Sequence, residues 1–494
     1  MSAPARHLGD LVVEARGREE ASLSVSKIAS DSRKVERGTL FFAVPGTKVD
    51  GMSFVPQAVA AGALAVVGEA ARPSDLPGHV AYVQVNDVRR TLALAASRFY
   101  PKQPDKIVAV TGTSGKSSVA DFTRQLFAHL GYKSASVGTL GIITSDGAAY
   151  GSLTTPDPIS LHQGFDRLAN DGVTRLAMEA SSHGIDQRRL DGVRLDAAGF
   201  TNLGRDHLDY HATTEAYAAA KLRLFDTLLP GDAPAVINAD GPYADVFLQG
   251  VRHRGLKLLT TGSTGETLRL VEARAEGFSQ ALTVEAFGTT IRTTLPLLGA
   301  FQVENALVAA GLVLAVEGEG RAADVLQGFK ILKGVSGRLE QVGEVDGAIC
   351  IVDYAHKPDA LTHVLDALRP FVKGRLFCIV GCGGDRDRGK RAQMGAAAGR
   401  LADHVIVTSD NPRSEDPREI ADDIVEGLQS QQAPWVIELD RARAIELALR
   451  EARANDIIVL AGKGHENYQE ANGKRIPFSD ARCVADALAR RRGA

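Results

Sequence analysis

Cysteine, long apolar runs and an excess of charge of either sign are all scarce in this sequence. The four cysteines, at 350, 378, 382 and 483, lack the spacing of a zinc site or a disulfide framework and fit a reducing compartment. No apolar run reaches the ~18 residues that a membrane span requires. The 57 basic and 60 acidic side chains nearly cancel, which gives no electrostatic case for nucleic acid or an anionic membrane as a partner.

The first residues and the length of the chain predict its cellular location and its number of domains. The first residues lack the apolar core of a signal peptide, so we expect a cytoplasmic protein. A chain of 494 residues is too long for one core, and roughly three domains are expected. A polar segment with two prolines at 100–105 predicts one boundary. The predicted domains are 1–104, 105–335 and 336–494.

Short apolar strands alternate with helical stretches along most of the chain. The first part predicts strands at 38–44 and 63–67, and helices at 54–61 and 88–100. Further apolar strands are predicted at 107–110, 176–179, 197–201, 235–238, 349–353, 375–380, 404–408 and 456–461. This alternation predicts an α/β protein with a central P-loop-type, doubly wound parallel sheet, a Rossmann-like C-terminal domain and a smaller N-terminal α/β domain.

A phosphate-binding loop is the feature around which the chain is organised. The β-branched strand 107–110 is followed by the turn Thr111, Gly112, Thr113, Ser114, Gly115, Lys116 and Ser117, and then by a helical pattern. The glycines let backbone N–H groups surround an anion, Lys116 can reach the outer phosphates, and the Ser117 hydroxyl can ligate the accompanying Mg²⁺. Val110 departs from the common pattern, and an ordinary Gly-rich turn is the alternative. The strand–loop–helix context indicates a nucleoside triphosphate site.

Two polar segments after strands offer metal ligands. Glu179 ends the strand 176–179, where a carboxylate suits Mg²⁺, although a helix-capping role is the alternative. The segment 201–211 is dense in polar groups. Its His207 can supply a neutral nitrogen, with Asp206 or Asp209 holding the ring. Lys221, in a helical stretch at 214–228, indicates by itself only a solvated or snorkelling lysine.

Polar loops also follow the four strands of the last third of the chain. Ligands of open α/β sheets bind at the carboxyl ends of the strands. This edge is expected to carry both signs of charge from Arg386, Asp410, Asn411, Arg413 and Glu466. A ligand with carboxylate and ammonium groups would match them, since Arg binds a carboxylate bidentately. The alternative is that the charged loops are purely structural.

Together these segments resemble the Mur ligase family of ATP-dependent enzymes that form amide bonds, especially the members that add the third amino acid of the peptidoglycan stem. The resemblance covers essentially the whole chain. It rests on Thr-Gly-Thr-Ser-Gly-Lys-Ser, Glu-Ala-Ser-Ser-His, Asp-Tyr-Ala-His-Lys-Pro-Asp, Asp-Asn-Pro-Arg and Gly-Lys-Gly-His-Glu. It implies a UDP-binding domain at 1–104, an ATP-binding domain at 105–335 and an amino-acid-binding domain at 336–494.

The resemblance implies ATP and Mg²⁺ as cofactors. ATP would phosphorylate the D-glutamate carboxylate of the substrate, and the incoming amine would attack the resulting acyl phosphate. The catalytic residues implied are Lys116, Lys221, Glu179 and His207, with Lys221 carbamylated. Mg²⁺ would be held by Ser117, Glu179, His207 and that carbamate. Besides the loop 111–117, the implied ATP contacts are Asn305, Arg338 and Asp353.

The resemblance also implies two substrate sites. UDP-N-acetylmuramoyl-L-alanyl-D-glutamate would contact Ser30, Ser32, Thr47, Lys48, Val49, Thr154, Thr155, Ser181, Gln187 and Arg189. Diaminopimelate would contact Arg386, Asp410, Asn411, Pro412, Arg413, Gly462 and Glu466. Lysine lacks the distal carboxylate, so a site built around these arginines would reject it. The partners are small molecules, and we expect a monomer.

Some positions depart from the family pattern, and other functions compete. Ser114 and Ser118 stand where Asn and Thr are common, Leu153 where some members have Asn, and Asn467 where Asp is frequent. The alternatives within the superfamily are a lysine-adding ligase and a folylpolyglutamate-type ligase. Outside it they are a generic P-loop ATPase, a non-catalytic nucleotide-binding module and a cell-wall scaffold. The last two would be expected to lose Lys116, Glu179, His207 or Lys221, and all are present.

Overall fold

A computed structural model describes residues 5–46, 49–145, 147–149, 153–204 and 210–492. The chain divides into two units. Unit 1 comprises Met1–Leu270, Glu285–Ile291 and Glu304–Gly328, and unit 2 comprises Val271–Val284, Arg292–Val303 and Phe329–Ala494. The division into three domains, at 104 and 335, stays a prediction.

Unit 1 begins with a small parallel sheet. The strands of this first part of the chain are β1 (Arg6–His7), β2 (Ser24–Val25), β3 (Lys27–Ala29), β4 (Thr39–Phe42), β5 (Ala63–Gly68) and β6 (Ala81–Gln84). Its helices are α1 (Leu8–Leu11), α2 (Val55–Ala60) and α3 (Val88–Phe99). β3, β4, β5 and β6 pair in that order, all parallel, while β1 and β2 form an antiparallel pair. The strands and helices predicted here are confirmed.

A large sheet follows in the middle of the chain. Its first strands are β7 (Lys106–Thr111), β8 (Ser134–Gly138), β9 (Gly141–Thr144), β10 (Gly147–Ala149), β11 (Arg175–Glu179), β12 (Ala197–Phe200), β13 (Ala235–Asn238) and β14 (Leu258–Gly262). The helices are α4 (Lys116–His129), α5 (Pro158–Asn170), α6 (Ser182–Asp186), α7 (Thr214–Arg223) and α8 (Ala244–His253). The chain continues through β15 (Leu268–Glu276), β16 (Ser279–Ala286), β17 (Thr289–Leu295), α9 (Ala300–Glu317) and α10 (Ala322–Gln327).

The order of the large sheet is β10-β9-β8-β11-β7-β12-β13-β14-β15-β16-β17. The six neighbouring strands β8, β11, β7, β12, β13 and β14 are all parallel, whereas β9 and β10 pair antiparallel at the edge next to β8. β7 lies between β11 and β12, with later strands on both sides. This order confirms the predicted doubly wound sheet, in which ligands bind where the strand order reverses.

The predicted helix at 214–228 changes character along its length. It is α-helical over Thr214–Arg223 and π-helical over Leu224–Leu228. The wider turn is closed by the amide of Leu229, which donates to the carbonyl of Leu224 at 3.0 Å. Leu224 and Phe225 are buried in the turn. The predicted helix is therefore present, but it is α-helical only as far as Arg223.

Among the described residues, one helix is long and apolar enough to cross a membrane, namely α9. It is 67% buried inside the protein. A Cβ added to Gly199 of β12 would lie 3.2 Å from Leu312, and one added to Gly311 would lie 2.6 Å from Val236 of β13. α9 therefore packs closely on the sheet, which accounts for its apolar composition.

Unit 2 contains a second parallel sheet. Its strands are β18 (Glu340–Val345), β19 (Ala348–Asp353), β20 (Leu376–Val380), β21 (His404–Val407), β22 (Trp435–Ile437) and β23 (Ile457–Ala461), followed by the hairpin β24 (Tyr468–Ala471) and β25 (Lys474–Pro477). The helices are α11 (Pro358–Leu368), α12 (Gly389–Leu401), α13 (Pro417–Leu428), α14 (Arg441–Glu451) and α15 (Asp480–Arg492). The order is β18-β19-β23-β20-β21-β22, parallel except for β18. The predicted α/β class is confirmed.

Helices α12 and α13 touch through their backbones. A Cβ added to Gly395 would lie 1.9 Å from the carbonyl oxygen of Ile424, and one added to Gly427 would lie 1.8 Å from that of Ala392. No side chain fits at either position. The loops that precede these helices, 381–388 after β20 and 409–416 after β21, are thus attached to a tightly packed pair.

Candidate active site

The phosphate-binding loop joins β7 to α4 in unit 1. Gly115 has φ 85°, a left-handed conformation that favours glycine, immediately before the helix begins at Lys116. A Cβ there would lie 2.2 Å from Oδ1 of Asn305, and a Cβ on Gly112 would lie 1.9 Å from Oγ1 of Thr201. Both glycines are therefore required by close neighbours. Asn305, which the resemblance implied as an ATP contact, thus lies against this loop.

Two lysines converge on one carbonyl of this loop. Nζ of Lys116 donates to the carbonyl of Gly112 at 2.9 Å and to that of Thr113 at 2.8 Å. Nζ of Lys221 donates to the same Gly112 carbonyl at 2.7 Å and lies 4.4 Å from the centre of the Tyr217 ring. Lys221 is only 1% exposed. The prediction from the sequence alone, that this lysine is solvated, is therefore wrong.

Glu179 and Ser117 lie side by side at the start of α4. The Ser117 hydroxyl donates to Oε1 of Glu179 at 2.9 Å, and the amide of Thr139 donates to the same oxygen at 2.8 Å. Glu179 is 2% exposed. Because Mg²⁺ prefers hard oxygen ligands, this hydroxyl–carboxylate pair beside a phosphate loop fits the ion.

Some predicted residues fall outside the described part of the chain. These are His207, with Asp206 and Asp209, and Thr47 and Lys48. Within the described ranges, no group of three or more His, Cys, Asp or Glu side chains could hold a metal ion. The two described candidate ligands of an ion are thus Ser117 and Glu179, with Lys221 close to the same loop.

Three of the residues implied for the nucleotide substrate connect to Glu179. The Thr139 hydroxyl lies 3.1 Å from that of Thr154, and the Thr155 hydroxyl donates to the carbonyl of Glu179 at 2.9 Å. The hydroxyls of Thr155 and Ser181 are 3.1 Å apart. Two short branches of hydroxyl groups therefore extend from Glu179, one from its carboxylate through Thr139 to Thr154 and one from its backbone carbonyl through Thr155 to Ser181.

Gln187 and Arg189 complete this part of the site. Arg189 donates to Oε1 of Gln187 at 2.7 Å, and Gln187 contacts the hydroxyl of Tyr210 at 3.4 Å. Tyr210 in turn donates to Asp186 at 2.7 Å. Burial lowers the pKa of the Arg189 guanidinium, partly opposed by the charge of Asp157. The guanidinium therefore lies in a partly desolvated environment, where binding an anion would be favourable.

In the N-terminal sheet, Ser30 and Ser32 follow β3, and Val49 follows β4. β3 and β4 are parallel neighbours, so both loops lie at one edge of the sheet. Ser30 is exposed, the Ser32 hydroxyl donates to Oε1 of Gln57 at 2.9 Å, and Val49 is 52% exposed. The three described residues of this predicted set therefore lie in loops at the same edge of the sheet.

The strand-end cluster of unit 2 comprises Asp410, Asn411, Gly462, Lys463 and Glu466. β21 and β23 each pair in parallel with β20, so their carboxyl ends deliver these residues to one edge of the sheet. Nδ2 of Asn411 donates to Oε2 of Glu466 at 2.9 Å. A Cβ on Gly462 would lie 2.7 Å from Oδ2 of Asp410. Burial raises the pKa of the Asp410 carboxyl, partly opposed by the positive charges of Arg441 and Lys463.

The two predicted arginines lie in the loops beside this cluster. Arg413 has φ 52°, and its Nη1 donates to the carbonyl of Gly384 at 2.7 Å. Its Nε lies 3.7 Å from Oε2 of Glu470. Arg386 is exposed, and Pro412 is buried. The contact between the 381–388 and 409–416 loops is close, because a Cβ on Gly384 would lie 1.9 Å from the carbonyl oxygen of Pro412.

Asp353 and Arg338 lie at the neighbouring end of β19. Asp353 accepts hydrogen bonds from the amides of Leu339 at 2.8 Å and Ala355 at 2.7 Å. Burial raises the pKa of the Asp353 carboxyl despite these bonds. The Arg338 guanidinium lies 4.9 Å from the centre of the Tyr354 ring. These contacts place both residues at the strand end where a nucleotide contact was implied.

Sequence reasoning missed several residues of the site. Lys463 is fully buried among the predicted amino-acid ligands, and Thr139 and Tyr217 contact Glu179 and Lys221. A signal for Lys463 was available, since it stands between two glycines directly after an apolar strand. Thr139 and Tyr217 carry no comparable signal.

Comparisons with known protein families match most of the chain. The model described as "Mur ligase family, catalytic domain" matches residues 24–100, "Mur ligase middle domain" matches 110–313, and "Mur ligase, glutamate ligase domain" matches 337–464.

Curated relatives match over nearly their whole length. A protein of Bradyrhizobium diazoefficiens is 51% identical over 475 residues, covering 95% of this chain and 96% of the relative. One of Agrobacterium fabrum is 50% identical over 477 residues, covering 96% and 95%. Both are named UDP-N-acetylmuramoyl-L-alanyl-D-glutamate--2,6-diaminopimelate ligase.

Solved structures show the same fold. A structure with that ligase name is 34% identical, with a TM-score of 0.76, and covers 99% of both chains. The MurF ligase of Thermotoga maritima in complex with ADP is 19% identical, with a TM-score of 0.60, over 95% of this chain and 98% of its own. A Mycobacterium tuberculosis folylpolyglutamate synthase is 18% identical, with a TM-score of 0.60, over 76% of this chain and 92% of its own. The last two likenesses concern the fold alone.

Proposed function

Because this chain belongs to the Mur ligase family, we propose that it joins meso-2,6-diaminopimelate to UDP-N-acetylmuramoyl-L-alanyl-D-glutamate, using ATP, in peptidoglycan synthesis. The relatives named for this reaction are about half identical over almost the entire chain. The structural observation that carries the proposal is the strand-end cluster, where Asn411 and Glu466 are hydrogen-bonded at 2.9 Å beside Asp410. Carboxylate and amide oxygens there suit an ammonium group, and the neighbouring arginines suit a carboxylate.

The first chemical step is phosphorylation of the substrate carboxylate. The D-glutamate carboxylate attacks the γ-phosphorus of ATP, which gives an acyl phosphate and ADP. Thr111, Gly112, Thr113, Ser114, Gly115 and Ser117 surround the phosphates, while the Lys116 ammonium, now 2.9 Å from the Gly112 carbonyl, balances the charge of the transferred group. Asn305, Arg338 and Asp353 are the further nucleotide contacts in this proposal.

The second step forms the amide bond. An amine of diaminopimelate attacks the acyl carbon through a tetrahedral intermediate, inorganic phosphate leaves, and the amine nitrogen loses its proton. The protein positions the two reactants. Lys116, Lys221, Glu179 and His207 are the residues to which we assign catalysis.

Mg²⁺ fits the oxygen pair of Ser117 and Glu179, which are 2.9 Å apart. When bound, the ion supplies charge neutralisation of the phosphates. His207 and a carbamate on Lys221 would complete the ligand set. Carbamylation replaces the Lys221 cation by an anionic pair of oxygens, which converts a group that now donates to Gly112 into a metal ligand.

The muramoyl nucleotide would bind along the two branches of hydroxyls that extend from Glu179. Thr154, Thr155, Ser181, Gln187 and Arg189 supply donors there, and Ser30, Ser32, Thr47, Lys48 and Val49 would hold the UDP end. This assigns nucleotide-substrate, ATP and amino-acid binding to 1–104, 105–335 and 336–494, respectively. We further propose a cytoplasmic monomer.

Diaminopimelate would bind at the strand-end cluster. Arg386 and Arg413 would take its distal carboxylate, and Asp410, Asn411 and Glu466 the distal ammonium, with Pro412 and Gly462 shaping the backbone. Lysine has no distal carboxylate and would give these arginines no ligand partner. The lysine-adding and folylpolyglutamate-type alternatives are not favoured, because the nearly full-length relatives described above carry the diaminopimelate ligase name.

Phosphate release tests the proposal. The protein is incubated with ATP, Mg²⁺ and UDP-N-acetylmuramoyl-L-alanyl-D-glutamate, together with meso-diaminopimelate, L-lysine or no amino acid. We expect release with diaminopimelate only. Release with lysine at a similar rate would contradict the assignment of Arg386 and Arg413, and release without any amino acid would indicate a generic ATPase.

A further inference from the structure

Lys463 is a buried cation within the strand-end cluster. Its side chain is 0% exposed, and its Nζ lies 3.1 Å from Oε2 of Glu466 and 3.3 Å from Oδ1 of Asn411. The ring of Tyr468 lies 5.7 Å from the same nitrogen. A buried ammonium is costly unless it is paired. Lys463 is held by the two residues that our proposal assigns to the amino-acid substrate.

The contacts of Lys463 fix which way the Asn411 amide points. Oδ1 of Asn411 accepts from the backbone amide of Glu470 at 2.9 Å and from Lys463 at 3.3 Å. Both partners can only donate, so the oxygen must face them. The NH₂ group of Asn411 must therefore face Glu466, to which it donates at 2.9 Å.

The same contacts give the two carboxylate oxygens of Glu466 different environments. Oε2 accepts hydrogen bonds from Lys463 at 3.1 Å and from Asn411 at 2.9 Å. Among the bonds and ion pairs of the described residues, Oε1 of Glu466 takes part in none, and the side chain is 21% exposed. One oxygen is thus anchored, and the other can receive a donor from a ligand.

Lys463 also balances charge in the cluster. Asp410 and Glu466 repel one another, and the charge of Lys463 acts against the effect of that repulsion on Asp410. An ammonium group of the ligand would be a second cation able to pair with Glu466.

We propose that Lys463 is a positioning residue for amino-acid specificity, which anchors Oε2 of Glu466 and the oxygen of Asn411 so that Oε1 of Glu466 accepts the distal ammonium of diaminopimelate. This inference rests on the proposed function and adds to it the residue that sets the geometry of the ammonium subsite. Lys463 itself does not touch the substrate.

The test compares Lys463→Met, Glu466→Gln and the double variant in full-length protein, with Lys474→Met as a control on the exposed β25. KM is measured separately for diaminopimelate, ATP and the muramoyl nucleotide. We expect Lys463→Met to raise the KM for diaminopimelate about 10- to 100-fold and to leave the other two KM values nearly unchanged. The double variant should be no worse than Glu466→Gln alone, because the effect of Lys463 passes through Glu466.

Other outcomes separate the two proposals. Wild-type protein that releases no phosphate with diaminopimelate would overturn the proposed function and the inference together. Active wild-type protein with an unchanged KM for diaminopimelate in Lys463→Met would overturn the inference alone. So would equal rises in all three KM values, or additive effects in the double variant. Lys463→Leu, which also lacks a hydrogen-bond donor, gives the same comparison if the Met variant does not fold.

Discussion

The ammonium of Lys221 lies 2.7 Å from the Gly112 carbonyl and over the Tyr217 ring. Sequence alone did not reveal this position, because a lysine in a helix is usually solvated, and only the resemblance singled it out. The reason is physical: α7 and the phosphate loop are distant in the chain, and tertiary packing alone brings them together. The same applies to Lys463, because its partner Asn411 follows a different strand, although Glu466 lies in the same loop.

Replacing Lys221 by Ala should abolish ligation. The variant loses the side chain that we assign to the second metal, and short carboxylates added to the assay should restore part of the activity. Product formation is measured with and without acetate. Lys257→Ala, at an exposed position, is the control and should remain active. Full activity of Lys221→Ala would contradict the carbamate proposal.

Replacing Arg413 by Ala should weaken use of diaminopimelate much more than use of ATP. A hydrogen bond to a charged group contributes about 1.5–3 kcal/mol, so the KM for diaminopimelate should rise roughly tenfold or more. Arg418→Ala removes an exposed arginine that pairs with Asp422 on α13 and serves as the control. Similar damage to both KM values in Arg413→Ala would indicate that the loop is only structural.

At the scale of elements, the apolar strands and the polar loops after them were predictable. Strands that are buried on both faces, such as β19 and β20, have sequences that are almost continuously apolar. The strands β15, β16 and β17 were not predicted. The last six residues of β15, from 271 to 276, are all exposed and consist of one valine, three charged residues and two alanines, so they show no apolar face. Such strands are specified by pairing with neighbours, which a local pattern does not contain.

The conformation of the phosphate loop depends on glycine at position 115, which has a positive φ and lies against Asn305. Gly115→Ala should impair ATP binding by roughly tenfold or more, since the left-handed φ costs about 1 kcal/mol and the added Cβ would meet Asn305 at 2.2 Å. Gly131→Ala is a matched control, because Gly131 has φ 92° with nothing within 4 Å. ATP binding is measured calorimetrically for both variants. Equal losses of affinity would show that backbone strain, not the contact with Asn305, is responsible.

At the scale of the whole molecule, a buried histidine links stability to pH. His162 of α5 is 0% exposed, and neither ring nitrogen has a hydrogen-bond partner among the described residues. Burial, aided by the charge of Arg194, lowers the pKa of His162 from 6.5 to about 4. The unfolded chain therefore binds the proton more tightly than the folded protein does. Stability contributed by the neutral ring is present above pH 6.5 and declines as the pH falls towards 4.

We expect the free energy of unfolding, and with it the urea midpoint, to decrease as the pH is lowered from 7 to 5, with a contribution from His162 of about 2 kcal/mol. His162→Leu should flatten this dependence, whereas His79→Leu, at an exposed position, should not. Urea denaturation at several pH values measures the effect. Parallel pH profiles for the wild-type protein and His162→Leu would contradict it.

The backbone contact between α12 and α13 has a consequence for ligand choice. With Gly395 against Ile424 and Gly427 against Ala392, the helices cannot slide or separate without losing their packing. The two loops that precede these helices are therefore held at a fixed distance from each other. A fixed distance between the loops selects a ligand by its length as well as by its charge. A diamino dicarboxylic acid with a shorter carbon chain would present the right groups at the wrong separation.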